Sequence, residues 1–293
     1  VGHLLAASGI TEQIVPTGEL VKLVQAMQEI KAEEDSRVNS YEIFVNQKLT
    51  HIRNSRGVDV TFSGFDCEIE VVTNSRKGDH EIEIYKDLRF SDKFAEDIIA
   101  EVRGMFHNGR QRLNAVPTRQ NEHADVLLTG NAVGSFFQYF AMHTNASYQY
   151  MGVAKAKIGE AITGADADPL TIRLVPTLDG STKNAPYDEN GVPVTERILF
   201  ENGICRSYWG SLQHAHYIGM KDTTSMNNLV VEGGSKTLDE LRSMPHIEIT
   251  DFSAFDMDAV SGTCGGEIRL AYESDGTTSH PTTSGSLSAR FDD

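Results

Sequence analysis

The chain has only three cysteines in 293 residues, Cys67, Cys205 and Cys264, and none forms a CxxC pair. So sparse and odd a set excludes a disulfide framework and reads as reduced thiols in a reducing compartment. Long apolar runs are missing as well: no stretch of the chain approaches the roughly 18 residues of a membrane-spanning helix. The opening Val1-Gly2-His3-Leu4-Leu5 has neither the basic region nor the cleavage pattern of a secretory signal. Positive charge is scarce, with 26 Lys and Arg against 42 Asp and Glu and a formal net charge of -16. Nucleic acid and anionic lipid both require a positive field, so this balance argues against direct contact with either. Its plain reading is solubility of a cytoplasmic protein. There is no internal repeat of fixed period and no low-complexity tract. The first residue is not Met, and the last residues follow directly on an alternating, strand-like run, so the chain reads as a fragment of a longer one.

Hydrophobic content of 39% and aromatic content of 8% suit a globular protein, and 293 residues suffice for two domains. Residues 17–34 form an amphipathic helix, with Thr17 as N-cap and Glu19 in the first turn. Leu20, Leu23, Val24, Met27 and Ile30 make its buried stripe, while Lys22, Glu29, Lys31 and Glu33 face water. Strand patterns follow at 41–46, 49–53, 58–63, 65–73 and 81–85, broken by turns at 54–57 and 74–79. A second helix, 91–106, carries Phe94, Ile98, Val102 and Met105 on one face. Polar residues 107–122, with Pro117, read as a linker. Beyond it, a buried strand at 124–128 leads into a helix at 131–143 with Val133, Phe136, Phe137, Phe140 and Ala141 on its core face. A short helical piece near 155–162 comes next. Strands at 170–175, 194–201, 204–209, 247–250 and 267–272 and a short helix at 238–244 complete the pattern. The fold class is α+β: helices packed on an antiparallel sheet in residues 1–115, then a β-rich domain in residues 116–293.

Few side chains suggest chemistry. His214 and His216, spaced i, i+2, would share a face on a strand and could hold a metal, but no third ligand is near, and an ordinary packed or surface pair is the plainer reading. His123 with Glu122 and Asp125 could form an acid/base cluster, but a solvated loop is the plainer reading of their position. Cys264 lacks a local base or cation to activate its thiol, and Cys67 alternates within a strand as a core residue would. Gly233-Gly234-Ser235-Lys236-Thr237 lacks phosphate-loop spacing and reads as a flexible loop in which Ser235 or Thr237 caps the next helix. Asp256 and Asp258 read as surface residues. Neither HExxH nor HExxxH occurs.

Asn54-Ser55-Arg56-Gly57, residues 124–162, Tyr187-Asp188-Glu189-Asn190-Gly191-Val192-Pro193, Phe200-Glu201-Asn202-Gly203-Ile204 and Gly265-Gly266-Glu267-Ile268-Arg269-Leu270-Ala271-Tyr272 together resemble the TldD/PmbA family. The resemblance implies a two-domain α+β protein that lacks an N-terminal portion and the last C-terminal strands of longer relatives. Such proteins, once described as modulators of DNA gyrase, are regarded as intracellular zinc proteases acting on unfolded peptides in proteolysis and peptide maturation. They work as homodimers or as pairs of paralogues. The TldD-type subunit holds zinc on an HExxxH helix and completes the site with a later cysteine; the PmbA-type subunit lacks these ligands. Here Gly130 and Asn131 fall at the first histidine and the glutamate, and Ser135 at the second histidine, while the frame Ala132-Val133-Gly134 remains. The resemblance thus implies a PmbA-type chain with no catalytic, cofactor or metal residues of its own and with zinc in a TldD-type partner. Two alternatives stay open: a homodimeric metallopeptidase with a relocated site at His214 and His216, and a scaffold that binds a topoisomerase.

Overall fold

The computed structural model describes residues 17–291 apart from 31, 34, 92–94, 122, 165 and 166. The expected roles of Lys31, Phe94 and Glu122, and the capping by Thr17 and Glu19, lie outside the described residues or side chains. Two compact units make up the chain, Val1–Leu113 with Val175–Val194, and Asn114–Leu174 with Thr195–Asp293. The return of Val175–Val194 to the first unit is a packing event that no break in composition marks.

The first unit starts with α1 (Thr17–Glu29), and Ile30, which its pattern also placed in the helix, lies past the end. Leu23, Ala26 and Met27 are buried, whereas Val24 is 37% exposed. The buried stripe is therefore narrower than expected, because only residues directly above the sheet are covered. Three antiparallel strands follow in the order β1 (Ser36–Arg53), β2 (Asp59–Lys77), β3 (His80–Phe90). The separate short strands read from the sequence merge, since the continuous β1–β2 ladder overrides local interruptions. The turn read at 74–79 tightens to Gly78 and Asp79, with Lys77 paired to His80. Helix α2 (Ala95–Asn114) takes in most of the first half of the expected linker. Arg110 anchors that polar stretch by pairing with Glu33 and, at 3.3 Å, with Asp35. Cys67, Ile69 and Val71, alternate residues of central β2, meet Leu23, Met27, Ile98, Val102, Met105 and Phe106 in one core. Burying each large side chain there contributes about 1.5–3 kcal/mol. Val175–Val194 packs on the far end of the β1–β2 ribbon, with the Phe62 and Tyr187 rings 6.1 Å apart. Gly191, at φ 77°, lies so close to Val58 that a Cβ would collide with it.

The second unit holds two sheets. The larger has the order β4 (Val116–Pro117), β12 (Ser279–Thr283), β11 (Thr263–Ser274), β10 (His246–Met257), β5 (Val126–Leu128), with β13 (Ser286–Arg290) also paired to β11. Strands β12 and β13 keep one register along β11, interrupted only by the left-handed pair Ser284 and Gly285. The smaller sheet runs β8 (Ile204–Cys205), β7 (Arg197–Glu201), β6 (Ile172–Val175), β9 (Asn228–Val231). Segment 124–128 is not the buried strand expected. Its ordered part, β5, is an edge strand with β10 on one side, and Val126 is 38% exposed. Helix α3 (Asn131–His143) lies between the sheets: Tyr139 and Phe140 pack toward Ile172, Leu174, Leu199 and Phe200 of the smaller one, and the other side meets β10.

The helix expected near 155–162 is absent. Helix α4 (Ala146–Met151) forms earlier, capped by Asn145, and left-handed Gly152 ends it. The backbone N–H of Lys155 then donates to His143 Nδ1 at 3.0 Å, which holds the following stretch as a loop. Helices α5 (Leu212–Tyr217) and α6 (Leu238–Arg242) are short. Arg242 clamps Glu248 of β10 with two bonds of 2.9 and 2.6 Å. Among the described residues no helix is long and apolar enough to cross a membrane.

Candidate functional site

The two ends of α3 are built differently. At its C-terminal end the orphan carbonyls are taken up. Thr144 Oγ1 donates to Ala141 O at 2.9 Å, Trp209 Nε1 to the same oxygen at 2.8 Å, and Gln149 Nε2 to His143 O at 3.0 Å. His143 is fully buried, and because its Nδ1 accepts from Lys155 N–H, its proton sits on Nε2. In the sequence this histidine has no cue beyond its place one turn after Tyr139.

The N-terminal end is bare. Gly130 is the N-cap, at φ 68° and ψ -147°, with no side-chain cap and no acid in the first turn. Parallel pairing sets this geometry: Thr129 N–H donates to Ile249 O at 3.1 Å, which pins the chain just before the helix. A Cβ on Gly130 would stand 3.1 Å from the Thr250 carbonyl oxygen. Asn131 is exposed, and Ser135, one turn on, is half-buried. Val133, Phe136 and Phe137 are also half-buried rather than packed away, whereas Phe140 and Ala141 are buried as expected. The buried face of α3 is thus rotated from the expected one, because the smaller sheet takes Tyr139 and Phe140.

Val133, Phe136 and Phe137 face a trough of about 1350 Å³. Its floor is Ile247 and Ile249 of β10, Cys264 and Ile268 of β11, and Leu287 of β13. Strands β4 and β5 lie at opposite edges of the sheet, so the chain between them crosses it as a strap. The strap supplies Arg119, Gln120, Asn121, His123 and Asp125 to the rim. Arg119 is held by Glu273, which accepts from its backbone N–H at 2.8 Å and lies 3.5 Å from Nε.

The trough therefore gathers three residues singled out in the sequence, His123, Asp125 and Cys264, but at opposite ends. Ile247 donates to the Asp125 carbonyl and pairs with Glu273, nine residues along β11 from Cys264. At strand rise that separates them by about 30 Å, so they form no catalytic set. Burial pushes the Cys264 thiol up from its ordinary value, away from a reactive thiolate. Burial likewise pushes Cys67 and Cys205 up to about 11.

His214 and His216 do not lie on a strand. Both are on α5, where a spacing of two turns them about 200° apart, so they cannot share one ion. His214 Nδ1 is 2.9 Å from the hydroxyl of the N-cap Ser211. Among the described residues, no group of three or more His, Cys, Asp or Glu is gathered closely enough to hold a metal ion. Thr237 caps α6 in a reciprocal box with Glu240, and Ser235 bonds Asp168 at 3.0 and 2.9 Å, so residues 233–237 are a structural loop. Asp258 accepts from Val260 and Ser261 in the β10–β11 turn, and Asp256 is exposed.

A helix-on-sheet unit joined to a two-sheet unit with α3 between its sheets defines an α+β protein built around a strand-to-helix junction. Residues 121–293 match the family described as the PmbA/TldA metallopeptidase C-terminal domain, and the chain belongs to that family. Among solved structures, TldE from Thermococcus kodakarensis superposes with a TM-score of 0.74 at 18% identity, covering 94% of this chain and 65% of that one. A candidate modulator of a DNA gyrase from Thermotoga maritima gives 0.73 at 20% identity, covering 96% and 68%. A candidate modulator of DNA gyrase from Bacteroides thetaiotaomicron gives 0.73 at 17%, covering 95% and 64%. At these identities the likeness shows the shared fold, and the chain spans about two thirds of the length of each neighbour. No curated protein matches the sequence.

Proposed function

We propose that this chain is the non-catalytic, PmbA-type subunit of a cytoplasmic zinc peptidase system that acts on unfolded peptides. Its partner is a TldD-type paralogue carrying the HExxxH helix. The observation that carries this reading is the backbone of Gly130. A histidine there would have to hold φ near 68° and ψ near -147° beside the Thr250 carbonyl, a conformation that costs a side-chain-bearing residue about 1–3 kcal/mol. The residues that follow fit zinc no better. The Asn131 amide cannot act as a base, and a serine hydroxyl such as Ser135 is a poor ligand beside imidazole and thiolate. No hydrolytic step therefore runs through this helix. What the chain contributes is shape: α3 keeps its packing, and the trough beside it offers an apolar floor to extended substrate.

The test is reconstitution with a zinc-bearing paralogue. We expect proteolysis of an unfolded substrate such as reduced casein by the mixture and none by this chain alone. Zinc-dependent cleavage by this chain alone would sink the proposal.

A further inference from the structure

The sheet of the first unit has two faces, and the helices cover one of them. Cys67, Ile69 and Val71 point at α1 and α2, so the residues between them on β2 point the other way. Strand pairing sets those residues in rows across the sheet: Phe44, Glu68 and Arg89, then Glu42, Glu70 and Asp87, then Ser40, Val72 and Tyr85. On this outer face Phe44 is 41% and Tyr85 56% exposed, and Glu42 and Asp87 are exposed too. Val175–Val194 packs farther along the β1–β2 ribbon, against Val58 and Phe62. Aromatic side chains left open together on one face mark a surface that meets something.

Charge indicates the occupant. The middle row sets three carboxylates side by side, about 5 Å from one strand to the next. Like charges directly opposite one another destabilise a sheet. Arg89 offsets part of this, at 2.9 Å from both Glu68 and Asp87. Among the described residues neither Glu42 nor Glu70 forms an ion pair. The Tyr85 hydroxyl is pushed above its ordinary value by desolvation and by the Glu70, Asp87 and Glu68 carboxylates around it. The row is therefore unfavourable in the chain by itself and is relieved by a cationic partner.

Spacing indicates the shape of that partner. Glu42 to Asp87 spans about 10 Å. Side chains at i, i+4 and i+7 of an α-helix share one side, at rises of about 6 and 10.5 Å. Three cations so placed can meet the three carboxylates in order. Arginine suits the face better than lysine, because guanidinium pairs bidentately with carboxylate and stacks on rings such as Phe44 and Tyr85.

We propose that the outer face of the β1–β2–β3 sheet docks an arginine-bearing helix of a partner protein, laid across the strands over Glu42, Glu70 and Asp87. A net charge of -16 draws such a helix in and repels nucleic acid, anionic lipid and a second copy of the same face. The three rows cover about 14 by 20 Å, which places the contact among weak, transient ones. The site lies within the first unit and does not rest on the peptidase reading.

The test uses rhodamine-labelled, Ala-rich helical peptides of equal composition and matched helicity. One carries Arg at i, i+4 and i+7, and the other scatters the same Arg residues around the helix. A third interrupts the first with a central Pro. Binding to the purified protein is read by fluorescence anisotropy at about 0.15 M salt, where distant charges are screened. We expect the one-sided helix to bind about three- to tenfold tighter than the scattered one, the range of one or two exposed ion pairs. Glu42→Gln combined with Glu70→Gln should erase that difference and raise the urea midpoint, since it relieves the row. Glu189→Gln combined with Asp256→Asn, the same change of charge elsewhere, should keep the difference. Equal binding of the two helices, or an equal loss in the second pair of substitutions, reduces the effect to general charge and overturns the site. A Pro-interrupted peptide that binds as well as the intact one overturns the helix in favour of an extended cationic chain. A lower urea midpoint in the Glu42 and Glu70 variant shows the row to be satisfied within the chain and removes the ground for a partner.

Discussion

In the first unit, α1 and α2 lay Leu23, Met27, Ile98, Val102, Met105 and Phe106 over the inward residues of β2, and these side chains are buried. In the second, α3 covers part of the larger sheet, and the cluster beside it closes only Ile249, Ile268 and Ala271. The two helices of the first unit are amphipathic and serve one sheet. Helix α3 is apolar on more than one side and serves two. It commits Tyr139 and Phe140 to the smaller sheet, which leaves Val133, Phe136 and Phe137 unable to seal the larger one. A sealed core stabilises; a half-covered sheet offers a surface on which something can bind.

Mutating the two regions should separate them. Phe106→Ala removes a side chain only 1% exposed and should lower unfolding stability by about 3–5 kcal/mol. Phe137→Ala, on the trough wall, should cost less than about 1.5 kcal/mol, because water already reaches that ring. Urea midpoints of the two variants decide the matter, and equal losses would break the distinction between closed and open faces.

The next effect separates two glycines of the strand-to-helix junction. Gly130→Ala places a Cβ at left-handed φ against Thr250 and should destabilise by about 1–3 kcal/mol. Gly134→Ala has open space and lies in the body of α3, so it should stabilise by about 0.4–1 kcal/mol. Thermal unfolding of both variants reads the sign directly, and a neutral Gly130→Ala would weaken the case against a histidine there.

Thiol chemistry sharpens the comparison further. Cys67 and Cys205 are fully buried in sealed cores, while Cys264 is 6% exposed on the trough floor. With Ellman's reagent near neutral pH, all three should react slowly in the native protein and quickly in urea. Cys264 should be the first to react under native conditions; if Cys67 leads, the first core is less closed than its packing implies.

The smallest expected effect is electrostatic. Burial alone would raise the Asp66 carboxyl, but hydrogen bonds from Asn46 at 3.0 Å and Lys48 at 3.0 Å outweigh it and hold the group below its ordinary value. A carboxyl lowered by folding contributes stability above its unfolded pKa, and that contribution is lost as pH falls through the folded one. The gap in urea midpoint between the native protein and Asp66→Asn should therefore be present at pH 7 and shrink below about pH 4. A gap independent of pH would show that the pair acts through packing alone.

Much of this was legible in the chain itself. Alternation in β2 marked Cys67 as a core residue, and the 3.6-residue period marked Leu23, Met27, Ile98, Val102 and Met105 as helix residues facing a core. A cap at Ser235 or Thr237 was legible ahead of the helix expected at 238–244, and Thr237 supplies it. Gly130, Asn131 and Ser135 stood out only through the family resemblance and by no pattern of their own. The trough was not legible, since its lining comes from the strap, α3, β10, β11 and β13, which pattern alone does not bring together. His214 and His216 were misplaced because a spacing of two means one face on a strand and opposite sides on a helix, and a six-residue element carries too little period to decide.

The sequence by itself determined the α+β class and the amphipathic elements of the first unit. Each follows from residue type or local period, which act within a few turns of chain. Only the tertiary structure decided that short strands fuse into long ladders, that Val175–Val194 joins the first unit, and which side of α3 is sealed. Those outcomes depend on which surfaces meet across long separations in sequence. There the fit of whole faces, rather than the preference of any one segment, sets the free energy.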